Sequence, residues 1–126
     1  MEQKTVAVLG ASTERRKFGN KSVRAHAHAG WTVYPVHPKA DEIEGLTVFP
    51  RLADLPGPVE RITVYLPPAV GLDLLDDMAA VGAREIWLNP GAADAALLAA
   101  ARERDLPVID GCSIVDLGLS PSQFPD

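Results

Sequence analysis

The chain is 126 residues long, which leaves room for one domain and excludes two. Hydrophobic residues make up 47% and charged residues 23%, a balance that excludes a disordered chain, and no apolar run approaches the ~20 residues that span a bilayer. One cysteine, Cys112, rules out an internal disulfide framework or a cysteine zinc cage, and a net charge of -5 argues against nonspecific nucleic-acid binding.

Met1-Glu2-Gln3-Lys4 leads into a strand-like run and not into a signal-peptide core, so a cytoplasmic location is expected. Residues 5–9, Thr-Val-Ala-Val-Leu, form a continuous β-rich apolar run ended by Gly10, the pattern of a strand covered on both faces in a parallel sheet. The next eleven residues, 10–20, begin with that glycine and continue with small and hydroxyl side chains, which let backbone amides approach an oxyanion. The same composition also suits a tight strand-to-helix turn. Residues 19–29 read as a helix with Val23 and Ala27 facing inward and Gly30 as its stop, and residues 32–36 as a second strand. The span 5–36 is then a βαβ unit, close to the roughly 30 residues of a mononucleotide-binding unit.

Further strands are expected at 46–49, 62–66, 85–88 and 107–109. Val70, Leu74, Met78 and Val81 share one face of a helix stopped by Gly82, and Asp94 caps a helix whose inner side holds Leu97, Leu98 and Ala101. Residues 119–126 are expected to trail over the surface. Right-handed crossovers arrange these elements as a single α/β, Rossmann-like, doubly wound parallel sheet over residues 1–126, in the order 3-2-1-4-5 with strand six extending the edge and helices on both faces. The apolar edges of so small a sheet are compatible with a homodimer.

Ligands of such a sheet bind beyond the carboxyl ends of its strands where the order reverses, here between strands one and four. The charge pattern agrees with a polyanion there. The 26 residues from Arg15 to Ala40 contain six bases and no acid, while the rest of the chain carries six bases and all seventeen acids. At the end of strand two, an NAD site would require a carboxylate for the ribose hydroxyls, yet the sequence reads Val36-His37-Pro38-Lys39. Lys39 suits an extra ribose phosphate, which points to coenzyme A, or to NADP as the less natural reading; it is otherwise an ordinary surface lysine. Leu66-Pro67-Pro68 follows strand four and either starts a helix or forms a rigid apolar wall for an adenine or a pantetheine arm.

Val8-Leu9-Gly10-Ala11-Ser12, Lys17-Phe18-Gly19-Asn20, the run 34–39, Tyr65-Leu66-Pro67-Pro68, Trp87-Leu88-Asn89-Pro90-Gly91 and Asp110-Gly111-Cys112 together resemble one family, the small CoA-binding proteins related to the amino-terminal domain of the succinyl-CoA synthetase α-subunit and of ADP-forming acyl-CoA synthetases. The resemblance implies binding of coenzyme A or an acyl-CoA through Gly10, Ala11, Ser12, Lys17, Gly19, Val36, Pro38, Lys39, Leu66 and Pro67. It also implies two departures: His37 stands where relatives often carry asparagine, and Asn89-Pro90 where the larger synthetases carry a threonine-glutamate pair.

No catalytic residue or metal site is expected. His26 and His28 lie on the first helix without neighbours at metal-ligand spacing, and Asp110 and Asp116 have no nucleophile to serve. The segment after Asp110 is too short to house the phosphohistidine loop that the larger synthetases require. The expected function is therefore noncatalytic CoA binding. A small NADP-dependent or thioester-handling enzyme, or a detached subunit working with a larger synthetase-like partner, are the alternatives.

Overall fold

The computed structural model describes residues 4–126. Its strands are β1 (Thr5–Leu9), β2 (Thr32–Val36), β3 (Glu42–Ile43), β4 (Leu46–Thr47), β5 (Arg61–Val64), β6 (Glu85–Leu88) and β7 (Val108–Asp110). Five of them form one all-parallel sheet in the order β2-β1-β5-β6-β7, the doubly wound order expected from the sequence with the sixth predicted strand at the edge.

The predicted third strand, 46–49, keeps its place beside β2 but not its length. Leu46 and Thr47 pair back with Ile43 and Glu42 in a small hairpin, and only Phe49 reaches the main sheet, as a single parallel bridge to Val36. The hairpin turns on Glu44 (φ 49°) and Gly45 (φ 79°), two successive left-handed residues that match the twist of a two-residue loop.

Helices cover both faces. α1 (Phe18–His28) lies on one side, and α2 (Pro68–Asp73), α3 (Leu75–Val81) and α4 (Ala95–Glu103) lie on the other. Because side chains alternate along a strand, Val6 and Val8 pack with Val23 of α1, whereas Ala7 and Leu9 join Met78 and Leu97. The helix predicted over 70–81 is two helices, broken at Leu74 (φ -101°, ψ 6°) and stopped by left-handed Gly82. It starts at Pro68, whose fixed φ suits a first turn. The Asp94 carboxylate accepts the Leu97 amide at 2.8 Å and caps α4 as expected.

On the α1 side, β5 presents Arg61 and Thr63, both buried and polar, where an apolar surface would be usual. The short α5 (Ser113–Asp116) closes over them and supplies one partner to each. Thr63 Oγ1 lies 2.7 Å from both Ser113 Oγ and Asn89 Nδ2, and the Arg61 guanidinium meets Asp116 at 2.6 Å and Glu85 at 2.8 Å. Among the described residues, every buried side-chain nitrogen and oxygen has a partner.

Two expectations for α1 and the last segment are corrected. Ala27 is exposed, and the inward positions are Ser22, Val23, Ala25 and the fully buried His26. Residues 119–126 do not simply trail over the surface. Pro121–Gln123 forms a 3-10 turn, and the carbonyls of Phe124 and Pro125 accept hydrogen bonds from α1.

Candidate functional site

The crevice begins where β1 ends. Gly10 has φ 92°, a conformation that L side chains rarely adopt, and a Cβ there would come within 2.7 Å of the Tyr65 carbonyl oxygen. The turn therefore passes directly against the end of β5. Gly19, in the first turn of α1, packs so closely that an added Cβ would strike the Gly10 carbonyl oxygen. These two glycines bring the start of α1 onto the strand end, so the positive end of an 11-residue helix faces the loop.

Among the described residues, no hydrogen bond engages the backbone N–H of Ala11, Ser12 or Thr13, whereas Glu14 N–H donates to Ser12 Oγ at 3.0 Å and Lys17 N–H to Glu14 O at 3.1 Å. The loop is thus folded on itself with several amides left as donors, the arrangement that receives an oxyanion.

Two adjoining cavities flank this turn. The larger, about 600 Å³, is lined by Gly10, Ala11, Ser12, Lys17, Val36, His37, Pro38 and Leu66, with Leu9, Leu52, Val70 and Leu74 among its apolar walls. The smaller, about 350 Å³, is lined by Phe18, Gly19, Pro67, Pro68 and the loop Pro90-Gly91-Ala92. Gly10, Lys17, Tyr65 and Leu66 belong to both. Nine of the ten residues expected at the site line one cavity or the other, and Lys39 lines neither. Lys39 is exposed just beyond Pro38, where its own N–H donates to His37 Nδ1 at 3.0 Å.

His37 has a definite task. Its Nδ1 accepts the Lys39 and Ala40 amides at 3.0 and 2.9 Å, so the neutral ring carries its proton on Nε2. An asparagine carbonyl at position 37 would accept the same two amides.

The acid-free stretch is less available than its composition suggests. Glu14 pairs with Arg16 and Lys17, both at 2.9 Å, and these two cations hold its carboxyl below the usual range through hydrogen bonds and charge. Arg15 faces Glu44 at 3.4 Å, and Lys21 and Arg24 turn away to the carbonyls of Phe124 and Pro125. Lys17 is the stretch's one base that lines the crevice.

Sequence reasoning missed Arg51, Val70, Tyr65 and Asp77 in the cavity lining. The spacing places Val70 on the inner face of the helix, yet it is 42% exposed and lines the larger cavity from α2, ahead of the break at Leu74. Arg51 lies on the excursion between β4 and β5 and pairs with Asp54 at 3.3 Å, which raises its pKa further. Cys112, half-buried, lines neither cavity, and the described residues contain no group of His, Cys, Asp and Glu that could hold a metal. No helix among them is long and apolar enough to cross a membrane.

Residues 4–118 match the model of a family described as a CoA binding domain. Two curated relatives are ligases. One is acetate–CoA ligase [ADP-forming] I of Archaeoglobus fulgidus, 36% identical over 64 residues, covering 51% of this chain and 9% of the relative. The other is the alpha subunit of acetate–CoA ligase [ADP-forming] II of Pyrococcus furiosus, 29% identical over 63 residues, covering 49% of this chain and 14% of the relative. The chain thus spans about a tenth of the length of the curated relatives it matches. A solved structure of a conserved hypothetical protein from Pyrococcus furiosus superposes with a TM-score of 0.79 at 28% identity, covering 91% of this chain and 99% of that one.

Proposed function

The chain belongs to the CoA-binding domain family, and from that membership we propose that it holds coenzyme A or an acyl-CoA in the crevice beside Gly10 without turning it over. The observation that carries the reading is the junction of the two cavities at the Gly10 turn, where free loop amides, the start of α1 and Lys17 converge. The pyrophosphate sits there, met by backbone N–H groups and one cation.

The adenosine occupies the larger cavity against Val36 and Pro38, on the β2 side where nucleotide-binding sheets hold the ribose. Lys39 reaches the ribose phosphate from the rim. The pantetheine arm runs along Leu66 and Pro67 into the smaller cavity, where Phe18, Pro68 and Pro90 offer apolar contact. His37 and Asp77 both line the larger cavity, but no hydrogen bond joins them and His37 Nδ1 is taken by the Lys39 and Ala40 amides, an arrangement that favours binding over turnover.

Isothermal titration with CoA, acetyl-CoA, NADP and NAD tests this. Saturable one-to-one binding of CoA, tighter than that of either nicotinamide nucleotide, is expected, and a preference for NAD overturns the proposal.

The alternative of a detached subunit is supported by the printed name of the second relative, a separate alpha subunit, and by the small share of it that this chain spans. Co-purification of a larger synthetase-like chain from the native host supports that reading, and recovery of the protein alone counts against it.

A further inference from the structure

The Gly10–Lys17 loop is held from behind by hydrogen bonds that extend to residues 124–125. Fully buried Asn20 donates from Nδ2 to the Ser12 carbonyl at 2.9 Å, and its Oδ1 accepts Arg24 Nε at 2.8 Å. Arg24 Nη2 donates to the Arg15 carbonyl at 2.8 Å and to the Phe124 carbonyl at 3.0 Å, while Nη1 donates to the Pro125 carbonyl at 2.7 Å. All three guanidinium nitrogens are used. Lys21 Nζ adds a bond to the Phe124 carbonyl at 3.0 Å.

The segment that supplies these carbonyls has its own fixed geometry. Ser120 and Gln123 form a capping box around the 3-10 turn, and the Phe124 ring sits edge-on to His28 with centroids 5.9 Å apart. On the other side of the loop, Glu44 accepts from Asn20 at 3.1 Å and pairs with Arg15. Pinning the Ser12 carbonyl from behind orients the free Thr13 amide that shares its peptide plane, and pinning the Arg15 carbonyl holds the far end of the loop on which the Ala11 and Ser12 amides lie. A planar guanidinium with acceptors on every nitrogen is a rigid clamp, whereas one deprived of two acceptors regains side-chain freedom.

We propose that Arg24 is a positioning residue for the anion-binding loop and that residues 120–125 are a strap that locks it in place, so that seating the strap on α1 sets the affinity for the CoA pyrophosphate. This rests on the CoA reading above. Neither Arg24 nor the strap touches the crevice, so the effect passes through loop order alone.

The test compares the full chain with a variant lacking residues 120–126, with Arg24→Met, and with both changes combined, at a temperature where each is folded. Two quantities are read: the CoA Kd, and hydrogen exchange at the hydrogen-bonded amides of Glu14 and Lys17 against those of β1. Each single change is expected to weaken CoA binding about tenfold and to speed exchange at Glu14 and Lys17 by a similar factor, with β1 unaffected and the combined variant no worse than either. A purely structural role lowers Tm alone. Kd and loop exchange both within about twofold of the parent overturn the proposal. If Arg24→Met fails to fold, the deletion decides. If the parent binds no CoA, the functional reading fails, and the exchange comparison decides the strap by itself.

Discussion

The Gly19 backbone lies against the carbonyl oxygen of Gly10 so closely that no side chain fits between them. Sequence separates these residues by a loop, and the fold joins them into the hinge that sets the start of α1 over the end of β1. Gly19→Ala must push two backbones apart. It is expected to cost about 2 kcal/mol or more of unfolding free energy, measured by urea denaturation, and to abolish CoA binding. Gly30→Ala is the contrast: unlike Gly19 it has a positive φ (90°), but nothing lies within 4 Å, so the substitution costs conformational strain without a collision, about 1 kcal/mol.

His26 makes stability depend on pH. Its Nδ1–H donates to the Ser22 carbonyl at 2.9 Å, and Arg61 Nη1 faces its Nε2 at 3.4 Å, so the ring is held neutral with its proton on Nδ1. Burial, with a smaller push from Arg61, lowers its pKa to about 4 from 6.5. The unfolded chain therefore binds a proton that the folded one refuses between those values, and this contribution to stability falls as pH drops from 6.5 toward 4. Between pH 7.5 and pH 5 the loss is about 2 kcal/mol from this residue. Urea unfolding of His26→Gln at both pH values checks it, and a slope equal to the parent's contradicts it.

Arg61 is 3% exposed, bound to Glu85 and Asp116, and stacked near the rings of Trp31 and Trp87 at 4.6 and 5.1 Å. Arg61→Ala strands two partly exposed carboxylates and empties the space between the rings. About 3 kcal/mol of stability is expected to be lost, the lower end for a broken buried pair because both carboxylates keep some solvent. Since Arg61 opens β5 at the end away from the crevice, the CoA Kd of the folded variant is expected within about twofold of the parent.

Much of this was legible locally. β1, β2 and β6 are continuous apolar runs, and the order of the sheet follows from right-handed crossovers between them. The hairpin at Glu44-Gly45 was not, because Leu46-Thr47-Val48-Phe49 has strand composition and its pairing with Ile43 depends on a left-handed glutamate that no local rule favours. The burial of His26 was not legible, because its partner Arg61 is distant in sequence and polar residues on β5 reverse the usual rule for what a helix buries. The six bases between Arg15 and Ala40 looked like one patch, yet Glu14, Glu44 and the carbonyls of Phe124 and Pro125 claim most of them. Carbonyl acceptors carry no signature in composition.

Lys39 stands exposed outside the cavity lining and is proposed to reach only the ribose phosphate. Lys39→Ala is therefore expected to weaken CoA binding by about fivefold, the most that an exposed ion pair of ~1 kcal/mol supplies, and to leave dephospho-CoA binding unchanged. Titration of both ligands into both proteins closes the cycle. Equal losses for the two ligands remove Lys39 from the site.

The most direct test is a crystal structure of the chain with CoA. The pyrophosphate is expected within hydrogen-bond distance of the free amides of Ala11, Ser12 and Thr13, the adenosine beside Pro38 and the pantetheine arm along Pro67. CoA bound on any other face, or lying in the crevice with its phosphates turned away from the Gly10 loop, contradicts it.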